Sequence, residues 1–141
     1  MSASDPFNLF RFVAAQEGVI DTAVAELAAG RKRSHWMWFV FPQLTALGRS
    51  GSAKFYGIGS PAEARAYLDH ELLGPNLERA TAAAVGSSAA TAHDLFGSPD
   101  DLKFRSSMTL FAKVQPDGPW VAALARFGLD PDPATLELLK G

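Results

Sequence analysis

The sequence predicts an all-α fold, a compact multihelical single domain that takes in residues 1–141. A capping residue followed by proline recurs along the chain, and proline suits the first position of a helix because it lacks the N–H that a helix start leaves unpaired. Apolar residues after these pairs recur every three or four positions, which is typical of an amphipathic helix. With 141 residues, of which 48% are hydrophobic, the chain is long enough to bury one core.

Three helices are predicted in the first third of the chain. The first starts at Asp5-Pro6, and the second follows Gly18 and ends at Gly30, since glycine is favoured just past a helix C-terminus. The third is the aromatic run 35–41, for which periodicity alone does not separate a buried helix from a short strand.

We predict a helix for the run 35–41, which reads His-Trp-Met-Trp-Phe-Val-Phe. Ser34 is able to cap its start and Pro42 to end it, because the residue before a proline is disfavoured in the α region. No other segment of the chain offers a partner strand, so the β-prone aromatic residues do not change the prediction.

Five more helix starts follow in the rest of the chain. Ser60 and Ser98 each precede an acidic residue by three positions, an arrangement close to a capping box. In the helix after Ser98, the side chains of Phe104, Met108 and Phe111 share one face, which predicts a core stripe. The predicted starts are Ser60-Pro61, Gly74-Pro75, Ser98-Pro99, Asp132-Pro133 and the weaker Gly118-Pro119.

Composition and charge exclude several kinds of partner. The chain has 13 Lys and Arg against 15 Asp and Glu, a formal net charge of -2, so it lacks the basic field that nucleic acid requires. It contains no cysteine, which excludes disulfides and sulfur-based metal sites and favours a reducing compartment. Its N-terminal residues lack the basic and apolar runs of a signal peptide or membrane span. We therefore expect a cytoplasmic protein with neither a nucleic acid nor a membrane as its partner.

Three cations and a histidine lie directly before or at the start of the aromatic run. In such a cluster Arg31 would bind an anionic group and Trp36 would stack on a ring. His35 would be the candidate catalytic acid or base, because imidazole titrates near neutral pH. The structural alternative is that the cations interact with the C-terminal dipole of the preceding helix while the aromatic side chains form core.

A second polar cluster lies in the helix predicted after Ser98-Pro99. Lys103, Ser106 and Ser107 are spaced so that they share one helix face, apart from the core stripe. Serine is a poor helix former, and local rules tend to be broken where a site demands it. Alternatively, this face is simply solvated, or its hydroxyls bond back to the helix carbonyls.

These observations lead to the hypothesis that both clusters converge on one pocket for a small anionic, nucleotide-like ligand. A ring of the ligand would stack on Trp36 or Tyr56, and His35 would support hydrolysis without a metal. The histidines lack the spacing of a metal site, so neither a metal nor a cofactor is expected. The alternative is a helical protein–protein interaction module without catalytic activity, in which exposed tryptophans anchor a protein partner. The other ligand-binding candidates, which supply charge or hydrogen bonds, are Arg31, Gln43, Lys103, Ser106 and Ser107.

One long string and several shorter blocks also resemble a known family. The string is His-Trp-Met-Trp-Phe-Val-Phe-Pro-Gln at residues 35–43. The further blocks are Leu47-Gly48 with Ser50, then Tyr56, then Glu63-Ala64 with Tyr67-Leu68, and finally Phe96-Gly97-Ser98-Pro99-Asp100-Asp101 with Lys103 and residues 106–111. This set covers nearly the whole chain and resembles the family known as domain of unknown function 1810.

The resemblance implies a compact multihelical single domain of mostly bacterial distribution, in agreement with the helix starts. It supplies no catalytic residues. Some members of the family bear the label calpastatin, but that inhibitor is long, disordered and repetitive, and this chain has none of those properties. Glu71 departs from the family pattern, which has proline there.

Overall fold

The computed structural model describes residues 5–140, which form ten α-helices and no β-strand. The predicted all-α fold is therefore confirmed. A 3-10 turn, Thr45–Leu47, precedes the fourth helix. In chain order the helices are α1 (Phe10–Gln16), α2 (Ile20–Ala28), α3 (Met37–Val40), α4 (Gly51–Phe55), α5 (Pro61–Asp69), α6 (Leu73–Val85), α7 (Ala92–Phe96), α8 (Asp100–Val114), α9 (Trp120–Arg126) and α10 (Pro133–Lys140).

Helix α8 lies at the centre of the fold, where α5, α7, α9 and α10 all contact it. The predicted core stripe of Phe104, Met108 and Phe111 is confirmed, since all three side chains are fully buried. Burial is not limited to that stripe, because every residue from 106 to 111 is buried. A helix that is covered on several sides has little solvated face left, and its polar side chains must find partners inside the protein.

Helix α6 is a second centre of packing. It contacts α2, α5 and α9. Helix α6 begins at Leu73, one residue before the predicted start at Gly74-Pro75, and the proline lies in its first turn, where no N–H is needed. Gly74 allows the backbone of α6 to lie close to the end of α5. A Cβ atom there would lie 2.2 Å from the carbonyl oxygen of Leu68, at the end of α5.

Two of the predicted helix starts are confirmed with their caps. The Ser60 hydroxyl accepts a hydrogen bond from the Glu63 N–H at 3.1 Å, and Pro61 is the first residue of α5. The Asp132 carboxylate accepts one from the Thr135 N–H at 3.2 Å, at the start of α10. Both caps use only neighbours in sequence, which is why the sequence predicts them.

Two other predicted helices are present but begin later in the chain than predicted. The Asp5 carboxylate accepts hydrogen bonds from the N–H groups of Leu9 and Phe10, and α1 begins only at Phe10. Pro99 precedes the first helical residue of α8 instead of being that residue, since α8 begins at Asp100. The helix in the aromatic run is confirmed as α3, although it is only four residues long.

The predicted cap of α3 is wrong. Residue Trp36, not Ser34, directly precedes α3, and no side chain caps the helix. The Ser34 hydroxyl donates a hydrogen bond of 2.6 Å to the Glu26 carboxylate of α2. This contact of the loop with α2 removes the hydroxyl from the local role that its position in the sequence predicts.

Candidate functional site

A cleft of about 440 Å³ lies between the first turns of α8, the segment before α4 and the start of α10. We call it the α8 cleft. Part of its wall is apolar and includes Leu47, Pro99 and Leu102. Its polar side chains come from three parts of the chain that are far apart in sequence. They are Gln43, Arg49, Ser50, Lys103, Ser106 and Asp132.

Helix α8 contributes Lys103 and Ser106 from successive turns of one face. The Lys103 ammonium lies 5.0 Å from the centre of the Trp38 ring, within range of a cation–π interaction. It also lies 3.5 Å from the Asp100 carboxylate, which is a loose ion pair. These two contacts hold the lysine at the cleft while leaving most of its hydrogen-bonding capacity unused.

The segment that carries Gln43 and Arg49 is fixed by its backbone. Leu44 and Ile58 form an isolated parallel bridge, in which the Ile58 N–H donates to the Gln43 carbonyl at 2.9 Å. Gly57 makes this approach possible, because a Cβ atom there would lie 2.5 Å from the Cα atom of Thr45. The side chains of Gln43 and Arg49 make no hydrogen bond to other residues within 5–140, so the wall is anchored while its polar groups remain available.

Asp132 holds the start of α10 against α8. Its Oδ2 atom accepts hydrogen bonds from the Ser106 hydroxyl at 2.9 Å and from the Thr135 hydroxyl at 2.6 Å, besides the Thr135 N–H. Its own N–H donates to the Thr109 hydroxyl at 2.9 Å. Burial raises the pKa of Asp132, but these hydrogen bonds outweigh burial and hold the pKa below its ordinary value. The group is therefore a carboxylate at neutral pH.

The two polar clusters predicted from the sequence meet at one acidic side chain. Asp100 accepts from Lys32 at 2.9 Å through Oδ2 and lies 3.5 Å from the Lys103 ammonium through Oδ1. Lys32 is buried against the Trp36 ring, 5.1 Å from its centre. The contact thus runs through Lys32, whereas Arg31, the predicted anion ligand, is exposed and lines a separate depression beside His93.

Two of the predicted site residues, Trp36 and Ser107, lie inside the protein and do not line the α8 cleft. Trp36 is 0% exposed and its indole N–H donates to the Glu26 carboxylate at 2.8 Å, so no face of the ring is open for stacking. Ser107 is also 0% exposed, and its hydroxyl has no hydrogen-bond partner within residues 5–140. The sequence predicts a polar face at Ser107, but α8 is covered there too.

Two more predicted residues do not line the α8 cleft. Tyr56 is half-buried among the rings of Phe12, Phe39 and Phe55, with centroid distances between 4.8 and 6.0 Å. His35 is exposed. Of the predicted candidates, Gln43, Lys103 and Ser106 do line one cleft.

Sequence reasoning missed Arg49 and gave Asp132 only a capping role. Arg49 lies in a Gly-Arg-Ser-Gly turn, which carries no signal beyond that of a loop. Asp132 is recognised locally as a helix cap, and its contact with Ser106 joins residues that are 26 positions apart. A buried serine on α8 needs a hydrogen-bond acceptor, and this need is the signal that could have pointed to Asp132.

Glu26 organises the basic loop that follows α2. Its carboxylate accepts hydrogen bonds from the N–H groups of Arg33 and Ser34, from the Ser34 hydroxyl and from the Trp36 indole, at 2.6 to 3.0 Å. Burial raises the pKa of Glu26, but these four donors outweigh it and lower the pKa to about 2. The loop before α3 is therefore held in place by one ionised side chain.

This carboxylate is expected to make stability depend on pH in acid. In the folded protein Glu26 takes up its proton near pH 2, whereas in the unfolded chain it does so near the ordinary value of 4.5. Its contribution to the free energy of unfolding is thus complete above about pH 4.5 and is lost as the pH falls towards 2. Urea unfolding of the wild type and Glu26→Gln at pH 7, 5 and 3 measures this loss.

Glu26→Gln retains an oxygen that can accept hydrogen bonds but does not titrate, so its stability should fall less steeply between pH 5 and 3 than that of the wild type. Asp5 and Asp132 also have lowered pKa values, and they titrate in both proteins. The difference between the two pH profiles therefore isolates Glu26. Parallel profiles would show that the Glu26 pKa is not lowered by folding.

Within residues 5–140, no three His, Asp or Glu side chains are grouped so that they could hold a metal ion. None of the helices in this part of the chain combines the length and apolar character that crossing a membrane requires. The His70 side chain hydrogen-bonds to the backbone at the start of α6, because its Nδ1 atom accepts hydrogen bonds from the N–H groups of Leu72 and Leu73.

Comparison with known proteins agrees with the resemblance seen in the sequence. A family model described as "Protein of unknown function (DUF1810)" matches residues 6–139. The crystal structure of the conserved hypothetical protein Rv1873 from Mycobacterium tuberculosis is similar, with 51% sequence identity and a TM-score of 0.94. The similarity covers 97% of this chain and 99% of that one. A comparison with curated proteins finds no match.

Proposed function

We propose that this chain, which belongs to the DUF1810 family of proteins of unknown function, binds a small anionic ligand in the α8 cleft. The observation that carries the proposal is the convergence of cationic and amide donors with spare capacity. Lys103 has one loose ion pair, and Arg49 makes no hydrogen bond to other residues within 5–140. An ammonium offers three donors and a guanidinium five, so these two side chains are well suited to an anionic group.

The local charge supports an anion as the ligand. The charged side chains that line the cleft are the two cations Arg49 and Lys103 and the carboxylate Asp132. The region is thus positive by one charge on a chain with a formal net charge of -2. A concave positive site on a negative protein attracts anions to that site in particular.

The lining of the α8 cleft supports an anionic ligand, but it supports neither the binding of a nucleobase nor hydrolysis. The residues that line the α8 cleft include no aromatic side chain, so the stacking partner of the nucleotide-like hypothesis is absent there. His35, the expected acid or base, is exposed and outside the lining. A cytoplasmic location, which the cysteine-free sequence favours, suits a small intracellular anion.

The alternative of a protein-interaction module has less support. It requires tryptophans on an open surface as anchors. Trp36 is fully buried, and Trp38 is half-buried with the Lys103 ammonium over its ring. The aromatic run therefore serves the core and the contact with Lys103, and it leaves no wide apolar ring surface for a partner.

Replacement of Lys103 with methionine tests the binding proposal. Methionine keeps the length of the stem but removes the charge, and the loss of a charged hydrogen-bond partner should weaken phosphate binding about tenfold or more. NMR chemical-shift titration with inorganic phosphate measures the affinity and shows whether the shifts map to the α8 cleft. The ion pair with Asp100 is loose, so Lys103→Met should cost about 1 kcal/mol of stability or less.

Lys113→Met is the matched control, because Lys113 is an exposed lysine on the same helix and does not line the α8 cleft. Both variants change the net charge equally. If Lys113→Met weakens phosphate binding as much as Lys103→Met does, binding is a general charge effect and the proposal is wrong. Equal affinity of Lys103→Met and the wild type would also contradict it.

A further inference from the structure

We infer that the ligand of the α8 cleft carries hydroxyl groups beside its anionic group, as a phosphorylated sugar does, and that Asp132 binds the hydroxyls. The inference rests on the proposed function and names the class of ligand. Asp132 is a carboxylate in the lining of a cleft whose other charged side chains, Arg49 and Lys103, are cations. An anionic ligand alone does not account for it.

The two oxygens of Asp132 have different surroundings. Oδ2 accepts all three hydrogen bonds that come from Ser106 and Thr135. Oδ1 receives no hydrogen bond from any residue within 5–140, although Asp132 lines the cleft. A carboxylate oxygen only accepts hydrogen bonds, so a ligand complementary to this position must present a donor to it.

A neutral hydroxyl satisfies this requirement better than a cation does. A ligand ammonium could also donate to Oδ1, but it would enter a cleft that is already positive because of Arg49 and Lys103. A hydroxyl gains the charge-assisted hydrogen bond without that repulsion. The lack of aromatic side chains in the lining likewise suits a saturated polyol more than a flat ring.

The groups proposed to bind the anion and the hydroxyls are anchored on adjacent turns of α8. Ser106, which holds Asp132, lies one turn beyond Lys103, and side chains so spaced have Cβ atoms about 5–6 Å apart. Both groups line one cleft of about 440 Å³, within the size range of small-molecule sites. Gln43, whose amide both donates and accepts, lies in the same lining and is able to bind a further hydroxyl.

The substitution Asp132→Asn separates ligand binding from the structural role of this residue. Asparagine is as good a helix cap as aspartate, and its carbonyl oxygen can accept the hydrogen bonds from Ser106 and Thr135. The amide nitrogen then takes the position of Oδ1, which turns an acceptor into a donor. The variant also loses one negative charge from the cleft.

The experiment compares ribose 5-phosphate, propyl phosphate and inorganic phosphate as ligands of the wild type and of Asp132→Asn, by NMR titration. The wild type should bind ribose 5-phosphate about tenfold or more tightly than propyl phosphate, which lacks hydroxyls. In Asp132→Asn this preference should weaken, because a neutral amide replaces the charged acceptor of the hydroxyl, while the affinity for inorganic phosphate stays the same or rises. Unchanged preference in the variant would overturn the inference.

Three further outcomes are informative. If the wild type does not distinguish ribose 5-phosphate from propyl phosphate, the inference is wrong while phosphate binding itself stands; this comparison needs no variant. Tighter binding of phosphoethanolamine than of ribose 5-phosphate would replace the hydroxyl with an ammonium as the donor to Asp132. If none of these phosphates binds, both the inference and the proposed function fail.

Discussion

Replacing Arg11 with methionine is expected to lower the free energy of unfolding by about 3–5 kcal/mol, because it leaves a buried carboxylate without its partner. The Arg11 and Glu63 side chains are only 10% and 9% exposed and lie 2.7 Å apart. All five N–H donors of the guanidinium are used. It donates to the carbonyl oxygens of Phe7, Asn8, Phe55 and Gly57 and to the Glu63 carboxylate.

Urea unfolding at neutral pH measures this loss, and Arg79→Met is the control. Arg79 forms an ion pair of 3.0 Å with Asp21, but the two side chains are 49% and 87% exposed. Exposed pairs contribute about 0–1 kcal/mol, so Arg79→Met should unfold nearly like the wild type. Similar losses in the two variants would show that the Arg11 contacts do not stabilise the fold. Arg11→Lys keeps the charge with fewer donors and should fall between the wild type and Arg11→Met.

Truncating Trp36 to alanine is expected to cost about 3–5 kcal/mol as well, for a different reason. The indole is completely buried and packs against Phe41, with ring centres 6.2 Å apart. Alanine would leave a cavity in the core and would remove the hydrogen bond to Glu26. The loss is measured by the same urea unfolding experiment.

Two further variants divide this effect into its parts. Trp36→Phe retains most of the buried ring volume and loses the N–H, so it should cost about 1–2 kcal/mol. Trp38→Ala removes a tryptophan that is only half-buried, and it should cost less than Trp36→Ala. A loss in Trp36→Ala no larger than that in Trp38→Ala would contradict the core role of Trp36.

The parts of the fold that could be predicted from the sequence depend on neighbours a few residues apart. The cap at Ser60 reaches three residues along the chain, and so does the cap at Asp132. The core stripe on α8 follows from the periodicity of Phe104, Met108 and Phe111. The family was also predictable, because its aromatic string is continuous in the sequence.

The candidate site was predicted only in part. The side chains of Lys103 and Ser106 share a helix face and do line one cleft, together with Gln43. Ser107 is close to both in sequence but is enclosed by neighbouring helices, and this burial depends on how they pack. Periodicity gives the direction of a side chain on its own helix, but it does not tell which directions other helices cover.

The sequence by itself determined the helical fold class, several helix starts and the family, since each follows from short-range hydrogen bonding, from periodicity or from a contiguous motif. Only the tertiary structure decided which polar groups share a cleft. At the cleft the decisive contact joins Ser106 to Asp132, which lie 26 positions apart. The buried ion pair of Arg11 and Glu63 joins residues 52 positions apart. Contacts over such separations depend on how ten helices pack together, and no local pattern of residues specifies that packing.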